Sequence, residues 1–155
     1  MWVIKLRSTR KTRAWLSLNK INLIALSQAT SALFSDIYKP GKPRYITLTL
    51  QVDKNSGYFF GTNKIYLCRN PDYTAKTLKQ KKFVIFLHFL HEFRHWMQSS
   101  IFKVKDSELT YTNEDVEYNR KKYRCNKYEK DARRFERRYV RKFMKYYIAF
   151  NAFDR

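Results

Sequence analysis

Residues Phe83 to Met97 read FVIFLHFLHEFRHWM and hold all three histidines of a 155-residue chain. Apolar side chains fall nearly all round a helical wheel, from Phe83, Ile85 and Phe86 to Phe93, Trp96 and Met97. That distribution predicts a central, buried helix over about Tyr73 to Ile101. Inside it stands His91-Glu92-Phe93-Arg94-His95. Positions i and i+4 are neighbours on one helical face, so His91 and His95 can aim ring nitrogens at one metal ion with Glu92 beside them. Burying these three groups without partners on so apolar a helix is costly, and a bound cation removes that cost.

Zinc is the expected cofactor. It lowers the pKa of a bound water and polarises a carbonyl, while a neighbouring carboxylate, here Glu92, moves the proton. A catalytic zinc usually takes three protein ligands. His88 lies two turns from His95, about 10 Å along the axis, too far to share the ion; a hydrogen-bonded core position suits it better. The third ligand is therefore expected to be a carboxylate. Glu129 is the first candidate, Glu136 on the same face competes with it, and Glu108, Glu114 and Glu117 are weaker ones. An ordinary i,i+4 pairing of Glu129 with Arg133 is the bland alternative.

Outward from this helix the chain punctuates itself. KPGKPR at Lys39 to Arg44 separates an N-terminal helix, in which Leu18, Ile21, Ala25 and Ala32 recur at helical spacing, from YITLTLQV, which alternates Ile46, Leu48, Leu50 and Val52 with polar residues. DKNSG then reads as a turn, and YFFG and KIYLC as further short strands of a small, mostly antiparallel sheet. Residues 1–16, rich in Lys and Arg without an acid, read as a basic N-terminal arm. A second long helix is expected from about Val116 to Phe150, with an inward stripe of Cys125, Tyr128, Ala132, Phe135, Tyr139, Phe143 and Tyr146. The expected fold class is α+β, a single domain.

Three segments together resemble the gluzincin-type zinc metallopeptidases, and among them the ImmA/IrrE-like family of small intracellular and phage-borne proteins. These are the strand KIYLC, the helix bearing LHEFRHWMQ, and the later segment YEKDARRFE, covering about Lys64 to Glu136. The resemblance implies a zincin-like domain with His91, His95 and Glu129 on zinc and Glu92 as general base in peptide hydrolysis. Arg133, His88 and the strongly basic last helix depart from the family pattern. SprT-type proteases share the motif helix but use a third histidine, which this chain lacks.

Lys and Arg number 33 against 13 Asp and Glu, a formal charge of +20, which attracts polyanions at long range. From Arg120 to Lys145 the cations are interleaved with aromatic rings that follow the helical stripe, so contact with nucleic acid is expected through phosphate charge and not through base readout. An alternative to the enzyme is therefore a basic nucleic-acid-binding or virion-associated protein with a degenerate or structural zincin core. Cys68 and Cys125 form no disulfide framework, which points to a reducing, intracellular setting. The longest apolar run is far too short to span a bilayer.

Overall fold

Trp2, Ile4 and Leu6 alternate with Val3, Lys5 and Arg7, which places three large apolar side chains on one side of an extended chain. In the computed structural model, which describes residues 1–39, 41–54, 56–59, 62–70, 74–109 and 120–153, this segment is strand β1, Trp2–Ser8, with Trp2, Ile4 and Leu6 buried. The basic arm expected over 1–16 is thus part of the fold: β1 leads into helix α1, Arg10–Leu18. The cations that suggested an arm, Lys5 and Arg7, occupy the exposed alternate positions of the strand.

The N-terminal helix expected as one piece is two. Helix α1 ends at a turn in which Lys20 adopts a left-handed φ of 54°, and Asn22 then caps helix α2, Leu23–Ile37, its side chain accepting from the amides of Ile24 (2.9 Å) and Ala25 (3.2 Å). Ile21, in the turn, is buried, while Leu18 is exposed. Three strands follow: β2, Arg44–Asp53; β3, Gly57–Phe59; and β4, Lys64–Cys68.

The sheet order is β1-β2-β4-β3. It is mixed and not mostly antiparallel as expected, since β1 pairs parallel with β2 and β2 parallel with β4; only β3 against β4 is antiparallel. The cause is connectivity. Helices α1 and α2 form a crossover long enough for a parallel return, whereas a hairpin permits only antiparallel pairing. Leu48 and Leu50 of β2 and Ile65 and Leu67 of β4 are buried on one face. On the outer edge, three serines of α2 stand in for a neighbouring strand: the amides of Leu6, Ile4 and Trp2 donate to Oγ of Ser27 (3.0 Å), Ser31 (2.8 Å) and Ser35 (3.0 Å).

Helix α3, Leu78–Ser100, begins a turn later than expected because Thr77 and Gln80 form a capping box. After the short helices α4, Asp106–Leu109, and α5, Arg120–Cys125, comes α6, Lys127–Phe153. The expected start at Val116 lies outside the described residues. The expected continuity across Asn126 fails because Asn126 ends α5 and caps α6, accepting from the amides of Tyr128 (2.8 Å) and Glu129 (3.3 Å). The buried stripe of α6 is Glu129, Ala132, Phe135, Val140, Phe143 and Tyr147. Cys125, expected in it, is exposed, because it belongs to α5 and lies out of phase with α6.

The result is an α+β single domain, with six helices and a four-stranded mixed sheet among the described residues. Helix α3 lies between β4 and α6, and its ring cluster forms the middle of the core: Phe93 meets Phe34 edge-on at 5.6 Å and stacks on Trp96 at 5.3 Å. No helix among the described residues is long and apolar enough to cross a membrane.

Candidate metal centre

A buried helix flanked on one side by a sheet and on the other by a long helix can present polar groups only where its neighbour also carries them. Helix α3 does so most densely where it meets the first turns of α6. His91 and His95, one turn apart, face Glu129 in the first turn of α6: Glu129 Oε2 lies 3.2 Å from His91 Nε2, and Oε1 lies 3.0 Å from His95 Nε2. The two Nε2 atoms are 3.1 Å apart. His95 and Glu129 are buried and His91 nearly so. The three ligand atoms lie within 4.8 Å of one another, a group that could hold a metal ion.

The tautomers follow from the partners on the other ring nitrogens. His91 Nδ1 is 2.9 Å from Glu136 Oε2, a carboxylate that accepts. His95 Nδ1 is 2.8 Å from Gln98 Oε1. Gln98 must present oxygen there, because its Nε2 donates to the Tyr128 carbonyl (3.1 Å) and to Asp131 Oδ2 (2.8 Å). Both imidazoles therefore carry hydrogen on Nδ1 when neutral and turn bare Nε2 lone pairs inward, onto each other and onto a carboxylate. Three bases converge on one point, with Glu129 Oε2 buried 3.2 Å from His91 Nε2. One cation satisfies all three, and two nitrogens with one oxygen form a donor set that suits zinc.

The electrostatics point the same way. Burial alone lowers the pKa of His91, but the hydrogen bonds to Glu129 and Glu136 outweigh it and raise the value to about 10. Burial pushes the Glu129 carboxyl up, yet the hydrogen bonds from His91 and His95 outweigh that and hold it well below the usual carboxylate range. A field that favours positive charge so strongly favours a divalent cation for the same reason. Glu92 sits beside the triangle, buried, and desolvation raises its pKa against the pull of both histidines.

Each predicted residue can now be placed. His91, His95 and Glu129 come together, with Glu92 adjacent. Glu136, the competing ligand, occupies the outer nitrogen of His91 and so lies behind the donor triangle. Glu108 is exposed on α4, and Glu114 and Glu117 lie outside the described residues. His88 is apart from the group, its Nδ1 3.2 Å from Ser56 Oγ.

Sequence reasoning missed the supporting layer. Gln98 fixes His95, and Arg94 grips Asp131 with Nε at 2.7 Å and Nη2 at 3.3 Å, tying α3 to α6. Tyr123 of α5 hydrogen-bonds Glu129, and burial together with that carboxylate raises its phenol pKa. Arg133 lies 3.7 Å from Glu129 Oε2 and donates to the Arg124 carbonyl, so the helical pair foreseen as the bland alternative coexists with the site. The spacing of Gln98, three residues after His95 on the same face, was the one legible signal among these.

No protein-family model, no curated protein and no solved structure matches the chain.

Proposed function

We propose that the chain is a zinc-dependent peptide hydrolase of zincin-like build. One observation carries the reading: two inward Nε2 lone pairs and a buried carboxylate converge on one point, with a second buried carboxylate, Glu92, next to them. The motif helix lying between β4 and the carboxylate-bearing helix α6 supports the zincin-like part. Zinc held by His91, His95 and Glu129 would supply a polarised carbonyl and an acidified water. Glu92 takes a proton from the attacking water and returns it to the leaving amine nitrogen. Desolvation raises its pKa, which makes it a stronger proton acceptor than an exposed carboxylate. Glu136 and Gln98 keep both rings oriented throughout.

Protein purified without added metal should carry about one zinc per chain, and His95→Ala should carry almost none. Natively folded protein that takes up no zinc overturns the proposal. The burial of His95 and Glu129 favours a second reading, a structural metal pinning α3 to α6. Bound zinc with no cleavage across a peptide library selects that reading. Under either one, Gln98→Leu frees the His95 ring and should weaken zinc about 10- to 100-fold in a chelator competition; an unchanged affinity would remove Gln98 from the site.

A further inference from the structure

Helix α6 has a second face. Its exposed residues from Lys127 through Lys145 are Lys127, Lys130, Arg134, Arg137, Arg138, Arg141, Lys142 and Lys145, cations without exception. At 100° per residue they occupy an arc of about 140° and extend about 27 Å along the axis. The acids of the helix do not offset them: Glu129 and Glu136 turn inward onto His91, and Asp131 is held by Arg94. Among the described residues Lys142 alone of the eight makes an ion pair, with Asp36 at 2.8 Å. Exposed Lys121 and Arg124 of α5 prolong the charge.

We propose that this face of α6 binds the phosphate backbone of a nucleic acid, placing the polymer on the side of the helix opposite the metal-centre carboxylates. The inference is independent of the hydrolase reading. A band of cations along one helix face matches a ligand whose charge repeats along a line. Insertion into a membrane surface needs apolar side chains among the cations; the large exposed apolar residues of α6, Ile148 and Phe153, lie beyond the end of the row, and none lies between Lys127 and Lys145. Phe135 and Phe143 are core residues, and Tyr128 and Tyr139 lie half-buried beneath Lys127 and Arg138, so contact is with phosphates and not with stacked bases.

The test measures affinity of the full chain for a short DNA duplex, its single strand and an RNA duplex across salt. Two triple variants lose equal charge: Arg134→Gln/Arg137→Gln/Arg141→Gln on α6, and Arg10→Gln/Lys11→Gln/Arg13→Gln on exposed positions of α1. Three lost duplex contacts flatten the slope of log K against log salt by about 2.7, so the α6 variant loses about 40-fold less affinity than wild type between 50 and 200 mM salt. The α1 variant should keep the wild-type slope. Equal effects of the two triples, no salt-dependent binding of any nucleic acid, or tighter binding to polyglutamate or anionic vesicles overturns the proposal. Unchanged circular dichroism and metal content in both variants confirm that the comparison is between folded proteins.

Discussion

Replacing Glu92 by glutamine leaves zinc bound at about one per chain and lowers peptide hydrolysis by about 10²- to 10⁴-fold. Glutamine keeps the volume and loses the proton acceptor. Because Glu92 lies outside the His91–His95–Glu129 triangle, metal content should not change. Because desolvation already disfavours its charge, the neutral amide should leave the protein as stable as before or more so. Metal analysis, thermal unfolding and a fluorogenic peptide assay on one preparation check all three consequences. A Glu92→Gln protein that cleaves at the wild-type rate, or that loses its zinc, removes Glu92 from the role assigned to it.

Phe93→Ala should cost about 3–5 kcal/mol, the usual range for emptying a buried ring site. Phe93 is fully buried and touches three rings: Phe34 edge-on, and Phe89 and Trp96 stacked, at 5.6, 5.9 and 5.3 Å. It therefore joins α2 to α3 as well as filling space. Against a total stability of about 5–15 kcal/mol for a domain, the loss brings the variant close to unfolding. Urea midpoints should be compared in chelator, since a metal bound only by the folded state adds its own stabilisation and any change in its affinity would be counted with the cavity. A shift equivalent to less than about 1 kcal/mol, well under the usual cost, would mean that this ring cluster is not the centre of the core.

What could be read in advance followed periodicity. The α3 core, the strand from Arg44 to Asp53 and the donor set His91, His95 and Glu129 rest on spacings of two, or of three and four, that local geometry imposes whatever the surroundings. β1 obeys the same rule through Trp2, Ile4 and Leu6, but Lys5 and Arg7 drew attention to charge and hid it. The breaks at Lys20–Asn22 and at Asn126 depend on asparagine side chains choosing to cap a helix, an option they exercise only when tertiary contacts reward the turn. The roles of Glu136, Arg94 and Asp131 were out of reach for a different reason. They arise between α3 and α6, whose relative rotation no single-helix pattern contains. Glu136 had the right face and the right chemistry, and only the juxtaposition shows that it meets the outer nitrogen of His91 and not the inner one.

The serine ladder along β1 works because two lattices nearly coincide. Four residues of α-helix advance about 6.0 Å and two residues of strand about 6.6 Å, so serines at every fourth position of α2 meet alternate amides of β1 with a slippage of only about 0.6 Å per rung. The middle rung, Ser31 with Ile4, is the shortest at 2.8 Å, with 3.0 Å on either side. Each further rung would add to the mismatch, so a helix can shield about this much strand and little more. β1, at seven residues, is near the longest outer strand that such a seal covers, and the opposite edge, β3, is only three residues long. Among the described residues the sheet thus offers no long row of unsatisfied amides to a second chain. Every two residues added to β1 at its Ser8 end would add one outward amide that the serines do not reach, and several such additions would make a template for strand addition and aggregation.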